Sequence, residues 1–110
     1  MEKILLIDDE RNMGAPIIAR TFEAGVYLLK VLPQLDELWL DNDLGPMSGY
    51  NQEGRHILDW FEKESVTDPD FHKFKPKKLW IVTSNTVARE IMETVARKLY
   101  KYQTDQYFHD

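Results

Sequence analysis

The sequence predicts an α/β domain built on an open parallel sheet. Short continuous apolar runs end on acids or hydroxyls, as in "ILLIDDE", "LWLDND" and "LWIVTS". Between them lie segments with helical spacing of apolar residues. Runs of that length without alternation are strands buried on both faces, and strands alternating with helices make β-α-β units and a covered sheet.

Taken in order, Ile4 to Ile7 is the first strand, closed by Asp8, Asp9 and Glu10. "APIIARTF" holds a second, weaker strand. Thr21 then caps a helix in which Phe22, Val26, Leu29 and either Val31 or Leu32 share a face, and Pro33 stops it. "DELWLD" is the third strand, with Trp39 between Leu38 and Leu40 and so expected in the core. "NDLGPMSGYNQEG" is rich in turn formers and reads as an exposed loop. "RHILDWFEKE" places Ile57, Leu58 and Phe61 on one helical side, and the polar "SVTDPDFHKFKPKK" returns the chain over the surface. "LWIVTS" is the fourth strand. Asn85 or Thr86 caps a last helix with a stripe at Val87, Ile91, Val95 and Leu99. The end, "YQTDQYFHD", reads either as a short fifth strand or as an aromatic tail.

The bulk composition sets limits. With 110 residues, 43% hydrophobic and only 5 Gly and 5 Pro, one domain over residues 1–110 with a real core is expected. The absence of cysteine excludes disulfide and thiol chemistry, and no apolar run approaches the roughly 20 residues of a membrane span. No segment resembles a signal peptide, so a cytoplasmic protein without membrane association is expected. A net charge of −5 argues against long-duplex nucleic acid as a partner. The basic residues, among them Lys73, Lys75, Lys77 and Lys78, are expected on solvated loops and helix faces.

Ligands of open parallel sheets sit beyond the carboxyl ends of the strands, where successive connections leave on opposite faces. For the order 2-1-3-4-5 that point lies between strands one and three, the two that end in "IDDE" and "LDND". Asp8 and Asp9 should then face Asp41, with Asp43 a further candidate. Carboxylates that converge repel one another unless a cation joins them, and a hard divalent ion such as Mg²⁺ fits an all-oxygen set that includes a phosphate. Asp43 taken singly also reads as a solvated turn residue.

These residues resemble the receiver domains of bacterial response regulators, over nearly the whole chain apart from the last ten or so residues. The resemblance implies a receiver-like (flavodoxin-like) sandwich with a central parallel sheet. It implies Mg²⁺ ligands at Asp8 and Asp9, a reactive carboxylate at Asp41, and phosphoryl-oxygen contacts from Thr83 with Ser84 adjacent. The chain departs from receivers in three ways. About eight residues separate Asp9 from the second strand, so the usual first helix is reduced or missing. No Lys ends the fifth strand, and Lys98 and Lys101 fall on the last helix. Gly45 and Pro46 are inverted in a loop that is longer if Gly54 opens the next helix.

"LDNDLG" with "DDER" and "TSN" is most similar to a divergent branch, the cyclic-phosphate-processing receiver domains of phages and bacteria. That resemblance implies action on cyclic phosphate ends of nucleotides or RNA. The branch usually shows His where this chain has Asn42, and His-Ser where it has Thr83 and Ser84, so the usual proton-transfer side chain is absent. A phosphoaccepting receiver and a non-catalytic domain that binds a protein partner are the alternatives, and a monomer or weak dimer is expected.

Arg11 is placed to clamp a phosphate or to lie on the surface. Asn85 and Ser84 at the mouth of the last helix offer an anion site as well as a cap. His56, His72 and His109 lack metal-ligand spacing. Tyr100, Tyr102, Tyr107 and Phe108 either pack the tail onto the sheet or form a partner surface.

Overall fold

The computed structural model describes residues 2–45, 52–101 and 106–109. Five strands, β1 (Ile4–Ile7), β2 (Ile17–Ala19), β3 (Glu37–Leu40), β4 (Lys78–Ile81) and β5 (Gln106–His109), form one sheet of order β2-β1-β3-β4-β5. Every neighbouring pair is parallel. The helices are α1 (Phe22–Val31), α2 (Gly54–Thr67), the single-turn α3 (Phe71–Phe74) and α4 (Thr86–Leu99). The chain therefore has the receiver-like α/β fold and strand order read from the sequence, and Gln106–His109 of the tail form a strand.

The registers divide the sheet into two faces. Leu5, Leu38 and Leu79 form one cross-strand row and Ile7, Leu40 and Ile81 the next. Both rows belong to a single buried cluster with Leu29 of α1, Ile57, Leu58 and Phe61 of α2, and Met92, Val95 and Leu99 of α4. Burying each of these side chains contributes about 2 kcal/mol, so this interface supplies most of the driving force. Handedness explains why all three helices meet one face. The β2–β3, β3–β4 and β4–β5 crossovers all move across the sheet in the same sense, and right-handed connections put their helices on the same side.

Only the β1–β2 connection, which runs the other way, is due on the opposite face, and residues 8–16 contain no helix. A parallel crossover normally needs a dozen residues or more. Here a shorter one suffices because β2 pairs through only three residues. Arg20 holds the link in shape. Its guanidinium donates to the Asp8 carbonyl at 3.3 Å, to the Arg11 carbonyl at 2.7 Å and to Asn12 Oδ1.

Local signals account for the helix ends. Thr21 Oγ1 accepts the Ala24 N–H at 3.1 Å, and Asn85 Oδ1 accepts the Ala88 N–H at 3.1 Å. α1 ends at Val31, two residues before Pro33; Val31 faces solvent while Leu32 packs on the core.

Five expectations change. Val87 and Ile91 are exposed at 69% and 39%, and the buried face of α4 is Ala88, Met92, Val95, Ala96 and Leu99. Lys101 lies beyond α4, and the "SVTDPDFHKFKPKK" segment includes the end of α2 and the turn α3. Lys75 is buried, its Nζ donating to the Leu99 carbonyl at 2.7 Å and standing 4.5 Å from the Tyr100 ring centre. Trp39 is half-buried on the face away from the helices. Pro46 and Tyr102 lie outside the described residues.

Candidate functional site

Backbone ladders carry the acids into position. The Asp8 N–H donates to the Ala19 carbonyl, the Asp41 N–H to Ile7 and the Val82 N–H to Leu40, each at 3.0 Å, so the sheet continues one residue past β1, β3 and β4. Residues 8 and 41 therefore stand on the same side of the sheet at its carboxyl edge. Asp8, Asp9 and Asp41 each bring an oxygen within 4.8 Å of the others, a group that can hold a metal ion. Asp43 is outside that group. It is exposed, and Asn42 Nδ2 lies 3.3 Å from its Oδ1.

The acids differ in environment. Asp8 is 1% exposed, and burial pushes its carboxyl up. That effect is outweighed by the backbone N–H groups of Arg11 and Glu10, each 2.9 Å from Oδ1, and by the Arg11 guanidinium, so the net shift is downward. Asp41 moves the other way. Burial and then the charge of Asp8 raise it, against weaker opposition from the Asn42 N–H, the Thr83 hydroxyl and Arg11.

Arg11 is part of the cluster. Its Nε lies 2.6 Å from Asp8 Oδ2, its Nη2 donates to the Val82 carbonyl at 2.6 Å and lies 3.8 Å from Asp41 Oδ2. Three carboxylates against one guanidinium leave two formal negative charges, which one divalent cation would cancel. All-oxygen donors of this kind suit a hard ion.

Of the remaining expected residues, Thr83 reaches the acids. Thr83 is fully buried and hydrogen-bonds to the Asp41 carboxylate, and its Oγ1 accepts the Asn85 N–H at 3.1 Å. Ser84 is exposed beside it, and Asn85 caps α4. Arg89 escapes a reading of the sequence, and Asn42, noted there only for the His it replaces, has a structural role. Arg89, in the first turn of α4, donates from Nη2 to the Thr83 carbonyl, and its Nε is buried without a partner. Its place four residues after the cap was the available signal. Asn42 is 1% exposed and ties the loop together, donating to Glu53 Oε2 at 2.8 Å and accepting the Arg55 N–H at 3.1 Å.

Glycines make room. A Cβ on Gly54 would lie 1.8 Å from the Asp41 carbonyl oxygen, and Gly54 N donates to the Asn42 carbonyl at 2.8 Å, so α2 starts directly against the site. Gly45 has φ +73°, and a Cβ there would be 3.0 Å from Asp9 Oδ2. His56 Nδ1 accepts the Glu53 N–H at 3.1 Å, an engagement at the start of α2. A hollow of about 470 Å³, lined by Phe71, Lys75 and Lys98 among others, contains none of these acids.

Among the described residues no helix is long and apolar enough to cross a membrane. Residues 3–98 match the profile of the family described as cyclic-phosphate processing Receiver domain. No curated protein and no solved structure matches the chain.

Proposed function

Because the chain belongs to the family of cyclic-phosphate processing receiver domains, we propose that its acidic pocket binds Mg²⁺ and opens the cyclic phosphate of a nucleotide or an RNA end. One observation supports this above all: Asp8, Asp9 and Asp41, from two distant strand ends, share a space of 4.8 Å beside the Thr83 hydroxyl.

Asp8, Asp9 and Asp41 would hold the ion. Bound there, Mg²⁺ supplies charge neutralisation of phosphoryl oxygens. The chain's own residues do the rest. Arg11, Ser84 and Asn85 bind the phosphate oxygens, and the first-turn N–H groups of α4 favour an anion at its mouth. With no His at Asn42 or Thr83, proton transfer falls to Asp41, the carboxylate that the Thr83 hydroxyl approaches. Water adds across one P–O ester bond. Its oxygen bonds to phosphorus, its proton passes to Asp41, and the departing ribose oxygen takes a proton back, giving a phosphate monoester.

The test is incubation with nucleoside 2′,3′-cyclic phosphates and Mg²⁺. Wild type should produce the monophosphate and Asp41→Asn should not. No consumption across the four nucleosides would remove the enzymatic reading. A phosphoaccepting role is weaker, since Gln106–His109 offers no Lys to pair an acyl phosphate. It would require an Asp41-dependent mass increase after treatment with a small phosphoryl donor.

A further inference from the structure

The face of the sheet away from the helices carries one straight cross-strand row. Ile18, Leu6, Trp39, Trp80 and Phe108 are register partners from β2 to β5. Its aromatic members are fixed in place. Glu37 Oε1 accepts the indole N–H of Trp39 at 3.2 Å and of Trp80 at 2.7 Å, and Trp80 stacks on Phe108 with ring centres 4.3 Å apart and planes 21° apart. Trp39, Trp80, Glu37, Met13 and Val82 line an open hollow of about 290 Å³.

That hollow abuts the acidic pocket. Asp41 follows Trp39 by two residues on the same side of β3, roughly 7 Å along the strand. Val82, which lines the hollow, gives its carbonyl to the same Arg11 that contacts Asp8 and approaches Asp41.

We propose that the Trp39–Trp80 hollow binds the nucleobase of the substrate, stacked on the indoles, while its cyclic phosphate lies at Asp8, Asp9 and Asp41. The proposal rests on the assignment of the acidic pocket to a phosphate. Stacking is tolerant of base identity, because every base offers a π-face. The hollow is also continuous with the acidic cluster through Val82 and Arg11, which favours a single ligand reaching both over a second copy. The indole planes are already set by Glu37, so a flat ligand meets a prepared surface.

The experiment compares affinities and not turnover alone. Binding of adenosine 2′,3′-cyclic phosphate and of base-free glycerol 1,2-cyclic phosphate is measured by calorimetry with Mg²⁺, for wild type and Trp80→Leu, alongside product formation. The nucleotide should bind wild type about ten-fold or more tighter than the base-free compound, and Trp80→Leu should remove that difference while leaving the base-free affinity unchanged. Equal affinity of the two compounds for wild type overturns the proposal without any variant, even if both are hydrolysed. Base-dependent binding without hydrolysis keeps it and removes the catalytic reading instead. Sedimentation showing a dimer that Trp80→Leu dissociates, with no nucleotide effect, gives the face to a second copy and also overturns it.

Discussion

Asp8 and Asp41 share one cluster yet shift in opposite directions from an ordinary value of 3.8. The signs follow from linkage. Asp41, raised in the fold, favours the native state while protonated; that contribution is present at low pH and is lost as pH rises through its raised value. Asp8, depressed, contributes stability above the ordinary carboxylate range and loses it as pH falls through its lowered value. In chelator at neutral pH, Asp41→Asn should therefore melt above wild type. Asp8→Asn should melt below it, by about 1.5–3 kcal/mol of lost charge-assisted hydrogen bonds. Thermal melts of both variants check this, and shifts of the same sign would contradict it. Arg11→Ala, which leaves the acids without their internal cation, should be destabilised in chelator and should gain more than wild type when Mg²⁺ is added.

Gly54 and α4 show where an element depends on single atoms. Gly54→Ala drives a Cβ against the Asp41 carbonyl oxygen. It should cost at least the 1–3 kcal/mol or so of ordinary overpacking, measured by urea unfolding, and weaken metal binding. On α4, Met92→Ala should cost about 2–5 kcal/mol, whereas Val87→Gln should stay within roughly 0.5 kcal/mol. The sequence pointed to Val87 and Ile91 because β-branched residues carry a strong hydropathy signal. The buried face instead includes Ala88 and Ala96, which add little hydropathy but let the helix approach the sheet. β1, β3 and β4 were legible as continuous apolar runs, and α1 and α4 through their caps. Trp39 was not, because alternation cannot distinguish a helix-covered face from an open one when Leu6, Trp39 and Trp80 are all apolar. Nor was Lys75, whose partners Leu99 and Tyr100 come from a distant part of the chain.

For the molecule as a whole, parallel topology turns two distant acidic strand ends into one cluster. The switch point between β1 and β3 does this without a first helix, since the link is held by Arg11 and Arg20. An ion that binds only the folded chain should raise its stability by about 2.7 kcal/mol at a hundred times its dissociation constant. The central claim is that Asp8, Asp9 and Asp41 share that ion. It is tested most directly by calorimetric titration of Mg²⁺ into wild type and Asp9→Asn, with circular dichroism to verify the fold of both. The account predicts one saturable site in wild type and its loss in Asp9→Asn. Indistinguishable isotherms for two equally folded proteins would contradict it.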